Sequence, residues 1–323
     1  KELNLNQNYK INNFKEIKLN LINKNKINNN IVIKKIKNKQ YEVIGKSYDA
    51  TLLIDEVLKN NNSKGMSGFL NKFGGKFYVK IDKINLDKIS NIKDIVGTFD
   101  VKNSKIKNLN LKSTFSKNKI LTFSIATNKN NEVITTLFSD NSEPLVKKYK
   151  FIKGYEGGAI DFYSIKKNNI SKSKIKIYDF KLHDMSTLTK LLTMADPRGF
   201  ADLLSGEGVR FNDFEMDFSN KNKLMTIDEI YAIGPSISIL MSGYVEDDKL
   251  ISLRGTLVPA TTLNKLLGSI PYIGNILVGK KKGEGIFGVS FKIKGPPKKL
   301  KTTVNPIKTL TPRFITRTLK KEK

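Results

Sequence analysis

Period-two alternation dominates the first 180 residues. Ile17, Leu19 and Leu21 alternate with Lys18 and Asn20, an apolar run covers 31–36, and Tyr41 and Val43 follow. Phe77, Val79 and Ile81 alternate with Tyr78, Lys80 and Asp82. The pattern returns at Leu109, Leu111 and Phe115, at Leu121, Phe123 and Ile125, across 133–138, at Ile160 and Phe162, and at Ile175 and Ile177. Successive side chains of a strand point to opposite faces, so each segment reads as a short strand with one apolar and one Lys/Asn-rich side. Asn, Lys, Gly, Asp and Ser clusters separate the segments, which predicts a meandering antiparallel sheet with one wet face. One amphipathic helix is expected over 50–58, with Asp49 as N-cap and Leu53, Val57 and Leu58 on one side.

The texture changes after Tyr178. Ser186 caps a helical stretch that Asp196-Pro197 breaks and Gly206 ends, giving two helical pieces over 187–205. Strands resume at Val209 and Phe211. Phe214, Met216 and Phe218 continue on a shifted phase, which predicts a bulge at Asn212-Asp213. Ile237, Ile239, Met241 and Val245 share one face of the next strands, followed by Ile251, Leu253 and Leu257. A broken helix is expected over 261–279, carrying Leu266, Leu267, Ile270, Ile273, Ile276 and Leu277. Pro271, Gly274 and embedded Asn264, Lys265 and Asn275 bar it from crossing a bilayer. Phe287, Val289, Phe291 and Ile293 then give the cleanest alternation in the chain. Two regions follow from this change of texture, a repetitive β section at 1–178 and a patterned region at 179–323.

Composition narrows the function. The net charge is +28, yet of 58 basic residues five are Arg (198, 210, 254, 313 and 317), leaving 53 Lys. Base edges and phosphates are usually read by the planar Arg fork. Lys scattered with Asn and Ile reads instead as a solvated face, so no nucleic acid is expected as a partner; an anionic membrane surface is the weaker candidate. There is no Cys and a single His183, which removes thiolate zinc sites, cysteine nucleophiles and His-based triads. Gly283, Gly285 and Gly288 fit G-x-G-x-x-G, but a strand follows where the pyrophosphate-binding helix should begin. Gly45-Lys46-Ser47 ends like a Walker loop without its first glycine, and the two S-x-x-K matches at Ser116 and Ser171 follow from abundant Ser and Lys. Asp213, Glu215 and Asp217 share one strand face and could offer oxygens to a hard cation. Pairing with Lys on neighbouring strands is the reading favoured for them. The expectation is a non-enzymatic protein with no catalytic residues, metal or cofactor.

A long succession of one-sided strands needs a cover for its apolar face. The sheet curls, folds as a sandwich, or takes an apolar ligand into the remaining groove. The stretch 250–306 narrows these choices. It carries a strand ending Gly255-Thr256-Leu257-Val258-Pro259, an Asn-bearing segment through Asn264, Ile270-Pro271-Tyr272-Ile273-Gly274 and Ile276-Leu277-Val278-Gly279. Gly283-Glu284-Gly285 then leads into the strand through Phe291, with Gly295-Pro296 and Val304-Asn305-Pro306 after it. In order and spacing these resemble the C-terminal region of the AsmA-like family of bacterial envelope proteins, in its YhdP-type branch. The likeness is good over about 180–315 and textural before it.

The resemblance implies a mostly β fold: a long twisted antiparallel sheet curled into an elongated apolar groove, with two short helical segments near the C-terminal end. It implies a periplasmic protein anchored in the inner membrane of a Gram-negative cell by an N-terminal helix. This chain, which begins at Lys1, is expected to be a piece of such a protein without its anchor. The implied function is phospholipid transport between inner and outer membranes and outer-membrane integrity, with phospholipid acyl chains, membrane surfaces and other envelope proteins as partners. Ile237, Ile239, Met241, Leu253, Phe287, Val289, Phe291 and Ile293 are the expected groove lining, and the apolar residues of 261–279 the expected cap or membrane segment. The alternative is a dry β scaffold or an assembly factor for outer-membrane protein biogenesis.

Overall fold

Alternating sequence becomes alternating structure along almost the whole described chain. The computed structural model describes residues 3–5, 11–22, 28–51, 74–87, 89–102, 105–115, 119–147, 154–183, 208–247, 249–259, 288–297 and 299–307. Two short strands, β1 (Leu3–Leu5) and β2 (Ile11–Phe14), pair as a separate hairpin-like sheet. The other sixteen form one open sheet in which each strand lies beside its neighbours in the chain. The helices expected at 187–205 and 261–279 lie outside the described residues, as does nearly all of the helix expected at 50–58.

The chain divides into two compact units, one of 1–141 with 161–167 and the other of 142–160 with 168–323. Residues 178 and 179, where the texture of the sequence changes, are consecutive within one strand of the second unit. The first unit carries β3 (Glu16–Ile22), β4 (Asn28–Lys37), β5 (Gln40–Asp49), β6 (Gly75–Asn85), β7 (Asn91–Lys102), β8 (Lys105–Thr114), β9 (Ile120–Thr127) and β10 (Val133–Ser139). Its pairings are antiparallel with one exception. β5 and β6 run parallel, with Tyr41 opposite Phe77 and Val43 opposite Val79. This corrects the expectation of a wholly antiparallel sheet. Parallel neighbours need a long crossover, and residues 50–74 supply it. Phe14, Tyr41, Phe77 and Phe99 stack in series, with centroids 5.4, 4.8 and 4.6 Å apart; the first three form a buried cluster with Val101, and half-buried Phe99 packs against it.

β11 (Tyr155–Lys167) joins the units, its residues up to 160 belonging to the second. The second unit continues with β12 (Ile170–Leu182), β13 (Val209–Lys221), β14 (Leu224–Ile233), β15 (Ile237–Glu246), β16 (Leu250–Pro259), β17 (Gly288–Gly295) and β18 (Lys301–Ile307). The tight links at 168–169 and 222–223 each begin with an Asn at positive φ, 53° and 57°. Asn tolerates the left-handed region that two-residue hairpins demand, so part of the Asn richness is turn chemistry.

The bulge expected at Asn212-Asp213 takes another form. β12 and β13 keep their register from Leu182↔Val209 to Ile170↔Lys221, while Asp179, across from Asn212, adopts φ 50°. Both strands change phase together, so Phe211 and Phe214 pack into the same core as Ile177 and Phe180. The extra residue sits further on. Register shifts between Ile227 and Ile230, and these two, three apart in sequence, both lie on the apolar face opposite Phe218 and Met216.

A one-turn helix, α1 (Glu143–Val146), precedes β11 and packs Val146 into the core. Ser142 followed by Glu143-Pro144 is a legible start signal for it. Ser142 is fully buried and bonds outside its own helix: its Oγ donates to the Gly157 carbonyl at 2.9 Å and accepts from the Tyr155 hydroxyl at 2.5 Å. Burial opposes charge on Glu143, but Lys147 and the Gly157 N–H hold its carboxyl below the usual range.

Candidate functional site

Cross-strand register assembles the alternating apolar residues of the first unit into rows. One row runs Ile17, Ile33, Val43, Val79, Gly97, Leu111, Phe123 and Leu137, one residue from each of β3 to β10. Every member is half-buried. Buried Tyr41 and Phe77 lie on one side of it, and buried Ile31, Ile81 and Ile95 on the other. At the β3 edge Leu19 and Leu21 are 40% and 55% exposed. A closed core would bury its middle row most deeply; here Val79 is more accessible than Phe77 and Ile81 on either side of it, and from β7 to β10 the flanking Phe99, Leu109 and Ile125 are half-buried like the row itself.

Glycines on this face report how the strands approach each other. A Cβ on Gly97 would stand 2.0 Å from the Asn110 carbonyl oxygen, and one on Gly45 would stand 2.4 Å from that of Asn30. Both glycines belong to the apolar face, so the neighbouring backbone leans over that face at these points. The second unit repeats the arrangement. Gly243 and Gly255, in register with Leu253 and Met241, would bring a Cβ to 2.1 Å and 2.4 Å from backbone oxygens of Ser252 and Leu240. The sequence signal for these four positions was present as isolated Gly within strand patterns, which marks close backbone approach.

In the second unit Ile237, Ile239 and Met241 alternate along β15, Leu253 lies on β16, and Phe291 and Ile293 lie on β17. Met241, Gly255 and Phe291 form one cross-strand row, and Gly243, Leu253 and Ile293 the next. Val289 holds the register position opposite Leu257. These residues therefore share a face, though not an environment. Ile237, Ile239 and Phe291 are buried with Phe211 and Leu257, whereas Met241, Leu253 and Ile293 are half-buried. Phe287 and the six apolar residues of 261–279 lie outside the described residues.

The opposite face of the second unit carries its charged residues, together with fully buried Tyr231 and Val258. Lys174 bridges Glu215 and Asp217 at 3.9 and 3.2 Å, and Lys176 meets Glu215 at 3.2 Å. Glu215 and Asp217 of the acidic strand face thus pair with Lys of the adjacent strand, as their spacing suggested. Exposed His183 meets Glu156 across β12 and β11. Among the described residues no group of three or more acidic or His side chains is placed to hold a metal ion, and no helix is long and apolar enough to cross a membrane. Comparison with protein-family models, curated proteins and solved structures finds no match to this chain.

Proposed function

We propose that this chain is a non-enzymatic lipid carrier in which phospholipid acyl chains lie along the apolar face of the sheet, as part of phospholipid transport between the two membranes of a Gram-negative envelope. The observation that carries the reading is the half-buried row from Ile17 to Leu137, a strip of apolar side chains crossing eight strands at right angles to them. Such a strip matches an extended alkyl chain: it offers contact everywhere and specific chemistry nowhere. Each CH₂ removed from water contributes about 0.8 kcal/mol, so a chain of ordinary length is held without any polar anchor. The leaning strands at Gly45 and Gly97 support a concave form for this face, an apolar groove rather than a flat surface.

The second unit contributes differently. Leu257 is 0% exposed and Ile237 is 2% exposed, and both belong to the unit's buried cluster, so these rows of its apolar face leave no room for a lipid chain. Lipid contact in that unit belongs to Met241, Leu253 and Ile293, and the buried residues above them act as a stop. The resemblance of 180–315 to AsmA-like proteins supports the same reading, together with a periplasmic location and an inner-membrane anchor beyond this chain.

Purified protein should yield phospholipid on solvent extraction and should bind a fluorescent fatty-acid probe. Val79→Asp places a carboxylate in the open row and should abolish probe uptake while circular dichroism keeps its β signature. Phe291→Asp buries a charge and should unfold the second unit. Protein that carries no phospholipid and takes up no probe is a dry scaffold, and the proposal fails.

A further inference from the structure

Two features of the polar face of β16, β17 and β18 point to a ligand outside the apolar row. Arg254 and Lys292 are direct cross-strand partners, and so, one same-face row nearer the β17–β18 turn, are Lys294 and Lys301. Like charges placed directly opposite each other destabilise a sheet unless an anion lies between them. All four side chains are exposed. None has a carboxylate partner among the described residues, whereas Lys174 and Lys176 a few strands away do. Arg254 and Lys292 line a cavity of about 600 Å³ with the hydroxyl residues Ser242, Thr256, Ser290 and Thr303, and Met241 and Phe291 also border it. Asp228 and Glu229 stand on its β14 side. The arrangement offers a phosphodiester cationic and hydroxyl donors.

The second feature is Leu300. It is 45% exposed beside Lys299 and Lys301, in the turn that Gly295-Pro296-Pro297 opens, where the Lys299 N–H donates to the Pro296 carbonyl at 2.8 Å. An apolar tip ringed by cations is costly in water and suits the boundary between headgroups and acyl chains. A free polyanion such as nucleic acid has no use for it.

We propose that this turn and the adjoining polar face form a docking surface for an anionic phospholipid membrane, with Leu300 entering the interface, Lys294 and Lys301 facing the headgroup layer, and the Arg254–Lys292 cavity taking one headgroup phosphate. The choice of a phospholipid surface rests on the proposed function, but the site is separate from the apolar row.

The test is co-sedimentation of the whole chain with vesicles of phosphatidylglycerol in phosphatidylcholine, and with vesicles of phosphatidylcholine alone. Binding should require the anionic lipid and fall as salt rises. The variant Arg254→Gln/Lys292→Gln/Lys294→Gln/Lys301→Gln should lose at least about tenfold in partition, since each cation near an anionic surface is worth severalfold. Leu300→Ser should lose severalfold on its own. A control with the same charge change, Lys37→Gln/Lys80→Gln/Lys112→Gln/Lys129→Gln, should bind like the parent. Lys294→Gln/Lys301→Gln alone relieves a repulsion, so it should fold normally and still bind less. Uptake of the fatty-acid probe should be unchanged in all of these variants, which separates this site from the acyl reading. Equal loss in the control would reduce the effect to net charge. Displacement by millimolar inorganic phosphate with no effect of Leu300→Ser would make this a free-phosphate site, and matching losses on double-stranded DNA and vesicles would make it a general polyanion surface. Any of these results overturns the proposal.

Discussion

Tyr155 is 2% exposed, and among the described residues its hydroxyl reaches one side chain, the equally buried Ser142. With the Ser142 hydrogen committed to the Gly157 carbonyl, the tyrosine must donate, and it can do so only while protonated. Gly158, at φ 80°, leaves the space: a Cβ there would stand 2.8 Å from the tyrosine oxygen and 2.9 Å from the serine oxygen. Burial, with a smaller push from Glu143, raises the Tyr155 pKa to about 12, and the bond to Ser142 only partly offsets this. Linkage then has a definite sign. Folded Tyr155 holds its proton more tightly than the unfolded chain does, so its stabilising contribution is complete below pH about 10 and is lost as pH rises toward about 12. Two pKa units correspond to about 2–3 kcal/mol. Urea titrations between those limits should show stability falling by that order in the parent, and a much flatter profile in Tyr155→Phe. Parallel profiles would mean that the hydroxyl is solvated in the folded state.

At the level of elements, alternation made most strands legible. Phe77, Val79 and Ile81 could be placed on one face from spacing alone, because period two admits no other arrangement once one side is buried. Two things escaped it. The parallel pairing of β5 and β6 depends on the path of 50–74, and no local pattern in either strand encodes the direction of its neighbour. Gly45 looked like the remnant of a phosphate loop; the structure places it and Gly97 where the partner backbone comes close, which needs the partner strand in place to be seen. Gly97→Ala sets a methyl group against the Asn110 carbonyl, where no flexible side chain can yield. It should cost about 1–3 kcal/mol in the first unit, as overpacking typically does, read from its denaturation midpoint. Spacing sufficed for Glu215 and Asp217 of the acidic strand face, because opposite charges on adjacent strands are their simplest neutralisation. Glu215, little exposed, is shared by Lys174 and Lys176, while the more exposed Asp217 is held by Lys174. Glu215→Gln should therefore destabilise the second unit by about 1–2 kcal/mol and Asp217→Asn by under about 1 kcal/mol, after allowing for solvent screening. Equal effects in thermal unfolding would mean that all three pairs are fully screened.

For the molecule as a whole, the two units spend their apolar surface differently, and the difference bears on the candidate site more than any single residue does. The second unit buries Phe211, Ile237, Ile239, Leu257 and Phe291 against one another. The first buries Phe14, Tyr41, Phe77, Ile81 and Ile95 but leaves a row of eight positions between them and along the sheet half-buried. A bound acyl chain would complete the core of the first unit and add little to that of the second. A ligand that binds only the folded form stabilises it by RT ln(1 + [L]/Kd), about 2.7 kcal/mol at a hundredfold excess over Kd. Stripping lipid with detergent or organic solvent should therefore lower the melting transition of the first unit by several degrees and leave that of the second nearly unchanged. Hydrogen exchange gives the sharper readout. On delipidation, amides of β4 to β9 should lose protection while those of β13 to β16 keep theirs, and refilling with a fatty acid should restore it. Protection that changes equally in both units, or in neither, would place the lipid elsewhere and make the open row a dry surface.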